Sequence, residues 1–205
     1  MTRTIAIVAA AFAVAVLVGT FLVTQFMRPD NAYAQCSGGA VAGGEIGGPF
    51  ELVNGQGETV TDADVITDPS LIYFGYTFCP DVCPLDVARN AEAIDLLDER
   101  GYSVTPVFIT IDPKRDTPEV VGEYADVMHE RMIGLSGSAA QVDAASKAYK
   151  TYYKAHPSDD DFYLVDHSTF SYLTLPDAGT VGFFRRDLSP EQLADQLGCF
   201  LDATS

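Results

Sequence analysis

Cys79 and Cys83 are separated by three residues, a C-x-x-x-C pair, in the run Gly75-Tyr76-Thr77-Phe78-Cys79-Pro80-Asp81-Val82-Cys83-Pro84. Two thiols at this spacing support three kinds of chemistry. In disulfide exchange, one thiolate attacks and the other resolves the mixed disulfide. In metal ligation, a pair of soft sulfurs one helical turn apart selects Cu(I) or Zn(II) over hard cations. As a structural bridge the pair closes so short a loop that little stability is gained. The oxidoreductase spacing is C-x-x-C, so the extra residue makes exchange less specific. A peroxidase reading is weaker still: Thr77 stands two residues before Cys79 rather than three, and no arginine is evident nearby in the sequence.

The elements around the pair set its electrostatics. Leu71-Ile72-Tyr73-Phe74, short, apolar and followed by Gly75, reads as the centre of a buried strand over about 70–76. From Pro84 to about Arg100, Val87, Ala91, Ile94 and Leu97 repeat at helical spacing, with Asp86, Arg89, Asp95 and Asp98 on other faces. The thiols therefore sit at a strand-to-helix turn, where the positive end of the helix dipole favours thiolate.

Histidine is the natural third ligand, and the chain has His129, His156 and His167. His129 reads as a solvated residue near a helix C-terminus and His156 as part of a polar loop. His167 differs, because Val165-Asp166-His167-Ser168 joins two expected strands, Phe162–Val165 and Thr169–Leu175. Asp166 is a candidate to orient its ring. Asp112, Asp116 and Glu119 lack the glycine-centred spacing of a calcium loop and read as a turn and helix cap.

Further elements follow from the same patterns. Phe50 to Val53 and Glu58 to Val60 read as a hairpin across Asn54-Gly55-Gln56-Gly57. Val104 to Ile111 is a second strong strand, with Pro106 awkward near its start. Thr117 and Pro118 open a helix to about Glu130, a further helix spans about 138–152, Val181 to Phe184 is the last strand, and Ser189 caps a final helix. A strand–helix–strand unit followed by an antiparallel hairpin and helix predicts an α/β, thioredoxin-like fold. In that layout the loop carrying His167 faces the cysteine turn, so Cys79, Cys83 and His167 form an S₂N metal site suited to Cu(I) or, with one added ligand, Cu(II).

The 205 residues suffice for one domain plus an appendage. Ile5 to Val23 carries no charge and is long enough to span a bilayer, and Arg3 favours leaving the N-terminus in the cytoplasm. The chain thus divides into an anchor over 1–27, a glycine-rich linker over 28–48 and a domain over 49–205 outside the cytoplasm, in the periplasm or an equivalent compartment. A cleaved signal peptide ending at Ala32-Tyr33-Ala34 is the competing reading. Both export the domain.

Formal charge is −17; Arg3, Arg28 and Asp30 leave the first 34 residues at +1 and the remainder at −18. Such a surface repels phosphate backbones and excludes nucleic acid as a partner. In an oxidising compartment the four cysteines invite pairing. Cys79 with Cys83 is locally easy, which leaves Cys36 near the start of the domain with Cys199 near its end. Domain termini are often close in space, so Cys36–Cys199 is expected as a structural staple; two free thiols are the alternative.

Taken together, Gly75 to Pro84, then Val107 to Glu119 with Phe108-Ile109-Thr110-Ile111-Asp112-Pro113, then Val165-Asp166-His167-Ser168, resemble the Sco/SenC family in order and spacing over about 45–200. The resemblance implies a thioredoxin-like domain behind an N-terminal membrane anchor. It implies a copper site on two cysteines and a histidine, which map onto Cys79, Cys83 and His167. It also implies a role in assembling the CuA centre of cytochrome c oxidase subunit II, as a copper chaperone or as a thiol-disulfide reductase or redox sensor. Other copper chaperones or thiol reductants, and the membrane through the N-terminal helix, complete the implied partners.

Overall fold

The computed structural model describes residues 5, 7, 13–21, 33, 35, 36, 39, 40, 46–156 and 162–203. In chain order the elements are β1 (Gly39–Ala40), β2 (Glu51–Asn54), β3 (Thr59–Thr61), α1 (Asp62–Val65), β4 (Ser70–Gly75), α2 (Val82–Glu99), β5 (Thr105–Thr110), α3 (Pro118–Met128), β6 (Ile133–Ser136), α4 (Ala139–Ala148), β7 (Tyr153–Ala155), β8 (Val165–His167), β9 (Ser171–Leu175), β10 (Gly179–Phe184) and α5 (Pro190–Asp202).

An eight-stranded sheet runs in the order β1-β10-β9-β4-β5-β6-β2-β3. β4, β5 and β6 are parallel, and β9 returns antiparallel beside β4. Every residue of β4 is buried, which explains why its sequence is an unbroken apolar run. Side chains alternate along it. Leu71 joins Ile94, Leu97, Leu193, Leu197 and Phe200 in the core beneath α2 and α5, whereas Ile72 and Phe74 pack with Val121, Val142 and Tyr149. Tyr73 and Gly75 share the face of Leu71 and so point toward the start of α2.

Pro106 lies inside β5, paired with Leu71 of β4, but pairing of β5 with β6 begins only at Val107. The missing N–H of Pro106 therefore falls beyond the end of that ladder. Thr117, Ser138 and Ser189 cap α3, α4 and α5 through their side-chain oxygens.

Three expectations need correction. The helix after Ser138 stops at Ala148 rather than 152, where Lys150 takes φ 52° and turns the chain out. The residues beyond it form β7, which pairs with β8 as a separate antiparallel ribbon, Tyr153 opposite His167. The expected strand over 162–165 is therefore displaced to Val165–His167, and His167 ends a strand instead of riding in a loop. The linker is not wholly without structure either, since Gly39 and Ala40 pair with Phe183 and Gly182.

Residues 13–21 are helical, but the rest of the anchor expected over 1–27 lies almost entirely outside the described residues. Among the described residues no helix is long and apolar enough to cross a membrane. Cys36 and Cys199 form a disulfide with Cα atoms 5.7 Å apart, bridging 163 residues of sequence. It ties the segment before β1 to α5, where Tyr33 stacks on Phe200 with ring centroids 5.5 Å apart.

Candidate metal centre

Helix α2 starts at Val82, so Cys83 lies in its first turn and Cys79 just before it. The first N–H groups of a helix have no helical partner. Asp81 occupies the N-cap position, yet its side chain makes no cap hydrogen bond. The sulfur of Cys79 takes that place: the Cys83 N–H donates to Cys79 Sγ at 3.4 Å. Pro84 has no N–H to satisfy, which suits the same turn.

The two free thiols differ in character. Burial works against ionisation of Cys79, but hydrogen bonds from the backbone N–H groups of Cys83 and Asp81, with added help from the side chains of Cys83 and Tyr76, hold its pKa below the ordinary thiol range. Cys83 is 0 % exposed and Cys79 9 %. Burial pushes the Cys83 thiol well up. Cys79 is thus the accessible sulfur inclined to thiolate, and Cys83 the sheltered one.

β8 brings in the third group. His167 Nε2 lies 3.2 Å from Cys83 Sγ, and the two sulfurs and an imidazole nitrogen all fall within 4.8 Å of one another. Nδ1 sits 2.8 Å from the carbonyl oxygen of Ser168. A carbonyl only accepts, so Nδ1 carries the proton and donates it, leaving the Nε2 lone pair directed at the sulfurs. Burial lowers the His167 pKa, outweighing the Ser168 carbonyl and the nearby carboxylates of Asp86 and Asp166, so the ring is held neutral. Tyr73 and Tyr76 flank it edge-on, at 6.2 and 5.9 Å between centroids. Cys79, Cys83 and His167 are the one such grouping of potential metal ligands found among the described residues.

The turn is bolted down from below. Asp116 is fully buried and accepts from the Thr77 N–H (2.9 Å), Thr77 Oγ1 (2.6 Å) and Thr110 Oγ1 (2.6 Å). Thr77 is thereby committed to Asp116, which leaves it no part as a peroxidatic threonine. Arg115 does stand beside the turn, contrary to the sequence reading. Its guanidinium lies 3.6 Å from the Tyr163 ring centroid and 5.0 Å from that of Phe78. Its Nε pairs with Asp112 Oδ2 at 2.5 Å, and Tyr163 Oη donates to Asp112 Oδ1 at 2.6 Å. This cluster clasps the chain leading into β8 against the loop after β5.

The SCO1/SenC family model matches residues 39–202. The chain belongs to the SCO1/SenC family. It is 53 % identical over 200 residues to Protein SenC of Rhodobacter capsulatus, across 97 % of this chain and 90 % of that protein. Among solved structures, Arabidopsis thaliana ScoI with copper bound superposes with a TM-score of 0.73 at 38 % identity, covering 77 % of this chain and 99 % of that one. Bradyrhizobium japonicum ScoI with copper bound gives 0.67 at 37 % identity, covering 75 % and 98 %. These likenesses place the SCO1/SenC domain in the thioredoxin-like α/β class.

Of the remaining sequence candidates, His129 is less solvated than expected. Its side chain is 7 % exposed, with Nε2 facing Asp95 at 3.3 Å and Nδ1 accepting from the Arg131 N–H, and it takes no part in the grouping of Cys79, Cys83 and His167. Asp166 does not orient the His167 ring. It pairs with His156 Nε2 at 2.7 Å, while Ser168 does the orienting. Sequence reasoning missed Tyr73, Tyr76, Asp86 and Arg186 around the sulfurs. For Tyr73 a signal was present in the period-two alternation of β4, which points it toward α2. Arg186 had none.

Proposed function

We propose that this SCO1/SenC protein binds one copper ion through Cys79, Cys83 and His167 and delivers it to the CuA centre of cytochrome c oxidase subunit II. The observation that carries the reading is the convergence of two thiol sulfurs with an imidazole nitrogen whose tautomer is set for ligation. Two thiolates and one imidazole are soft donors suited to Cu(I), and two relatives of known structure hold copper. Three ligands leave a position open to the thiolate or imidazole of an acceptor, so copper is passed by exchanging one ligand at a time. Disulfide exchange alone has no need of a histidine held neutral against the buried sulfur.

The second reading is reduction of the CuA-site cysteines before they receive metal. The unequal thiols favour it: Cys79 has the character of an attacking thiolate and Cys83 that of a sheltered resolving thiol. We further propose an uncleaved anchor within 1–27, which holds the domain at the outer face of the membrane, in the periplasm or its equivalent.

The deciding experiment mixes the copper-loaded protein with the reduced, metal-free CuA domain of subunit II and follows copper by mass spectrometry. Transfer that requires His167 supports delivery. If no copper moves, and metal-free protein instead converts an oxidised acceptor to its dithiol equally well with His167→Ala, the reductase reading replaces it.

A further inference from the structure

β7 and β8 are three residues each and, among the described residues, pair with one another rather than with the large sheet. A two-stranded ribbon has little stability of its own. The place of His167 therefore depends on what fastens β8 to the body of the domain. Beyond His167 the ladder closes on itself: the Ser168 N–H donates to the Tyr152 carbonyl at 2.9 Å, and the Tyr152 N–H to Ser168 Oγ at 3.0 Å. Before Val165 the His156 N–H donates to the Leu164 carbonyl at 2.9 Å, which carries the pairing one residue past β8. All of these bonds lie within the ribbon and its immediate extensions.

The fastening comes from side chains, which alternate along an extended chain. Phe162 and Leu164 are 87 % and 55 % exposed, and Asp166 also faces solvent, whereas Tyr163, Val165 and His167 form the inward row. His167 meets the Cys83 sulfur. Val165 is buried, and its N–H donates to Tyr76 Oη at 3.3 Å. Tyr163 makes the shorter bond, from Oη to Asp112 Oδ1 at 2.6 Å, and its ring lies face-on to the Arg115 guanidinium, 3.6 Å from the centroid. Arg115 Nε holds the other oxygen of Asp112, and both side chains of that pair are nearly enclosed. A hydrogen bond to an ionised, sheltered carboxylate is among the stronger ones available. The seat itself is fixed to the sheet, because the Asp112 N–H donates to Thr110 Oγ1 at 2.9 Å. Arg115 also stands over Phe78, the neighbour of Cys79. The strand that carries the imidazole is thus docked on the same loop that abuts the cysteine turn.

We propose that Tyr163 is a positioning residue of the copper site: seated on the Asp112–Arg115 pair, it holds β8 so that His167 Nε2 stays within reach of the two sulfurs. This rests on the copper-binding reading above. The Tyr163 hydroxyl is spent on Asp112, so its effect on copper passes through His167. Losing Tyr163 can then cost no more affinity than losing His167 itself, and it costs nothing once the imidazole is gone. A residue that merely props the fold would weaken the grip of the sulfurs with or without the imidazole.

The test uses the full chain, reduced, in mild detergent without oxygen, with Cu(I) titrated against a chromophoric chelator. Tyr163→Phe leaves the ring on Arg115 and is expected to weaken Cu(I) by about fivefold, somewhat less than the loss of a group bonded to a ligand directly. Tyr163→Leu also takes the ring away and is expected to approach the loss seen in His167→Ala without passing it. In the His167→Ala background both changes are expected to leave affinity within about twofold, as independent sites do not. A metal-free reading accompanies these: in Tyr163→Phe the amides of His156 and Val165 are expected to exchange with deuterium at least about tenfold faster, while those of β4 and β5 keep their native rates. If both variants keep native affinity, weaken copper equally in the His167→Ala background, or lose more than His167→Ala does, the proposal falls while the copper reading stands. Unchanged exchange at His156 and Val165 overturns it as well. A native chain that binds no copper tightly, or binds it indifferently to His167, overturns the copper reading and the proposal with it.

Discussion

Cys83 Sγ and His167 Nε2 lie 3.2 Å apart although 84 residues separate them in the chain. The sulfur is held by the first turn of α2 and the nitrogen by the end of β8, which belongs to the separate β7–β8 ribbon, so the contact exists only once that ribbon is folded against the start of α2. The Ser168 carbonyl fixes which nitrogen faces the sulfur. From this pairing and its surroundings, the behaviour of the site under titration and substitution follows.

Copper affinity is expected to fall with acid. Burial keeps the Cys83 thiol protonated at neutral pH, so copper must displace that proton. One displaced proton means about a tenfold loss per pH unit, steepening once Cys79 also holds a proton. His167 joins only in more acid solution, because burial lowers its pKa. The same shift makes the share of stability contributed by His167 present above the ordinary histidine range and lost as pH falls through its lowered value. Chelator competition from about pH 6 to 8 checks the slope, and a flat profile contradicts the assignment of Cys83.

The two thiols should alkylate unequally. Cys79 is the sulfur whose pKa is held down by helix N–H groups, and Cys83 is fully enclosed. With iodoacetamide on the folded, metal-free protein near pH 7, Cys79 is expected to react at least about tenfold faster. Mass spectrometry of the digested protein reads the ratio; equal rates would mean the turn opens on the timescale of labelling.

Asp116 is the bolt beneath the turn. Asp116→Ala leaves the Thr77 N–H and the Thr77 and Thr110 hydroxyls without their acceptor. A cost of about 2–4 kcal/mol is expected from stranded buried donors, read as a lower urea midpoint at unchanged slope. Copper binding should weaken as well, because the turn carries Cys79. Native stability in this variant would show that the turn is held by other means.

The Cys36–Cys199 disulfide closes the chain over 163 residues. Replacing both by serine is expected to cost about 2–5 kcal/mol, the usual range for removing a native bridge. It joins the first segment to α5, within the core cluster of Leu193, Leu197 and Phe200 and away from the thiol turn. Copper affinity is therefore expected to stay within about twofold, which chelator competition after chemical unfolding controls will show.

What was legible in the sequence was what is local. The apolar run Leu71–Phe74 and the spacing Val87, Ala91, Ile94 and Leu97 announce β4 and α2, and so place both thiols at a helix start. β7 was not legible: Tyr153-Lys154-Ala155 is three residues long and forms a strand only because Val165–His167 lies beside it. For the same reason His167 read as a loop residue. Asp116 read as an ordinary turn residue, since nothing in Asp112 to Glu119 says that Thr77 and Thr110 will close over it. Arg115 and Arg186 are unremarkable as surface cations in sequence; only the folded chain sets one on Phe78 and Tyr163 and the other on Asp86.

The most direct test of the central claim is Cu(I) affinity in the native chain and in His167→Ala, fully reduced and without oxygen. One tight equivalent in the native protein that weakens at least about tenfold in the variant, about 1.4 kcal/mol, is the predicted result, for a site made of Cys79, Cys83 and His167. Tight binding indifferent to His167, or no tight binding at all, would contradict it.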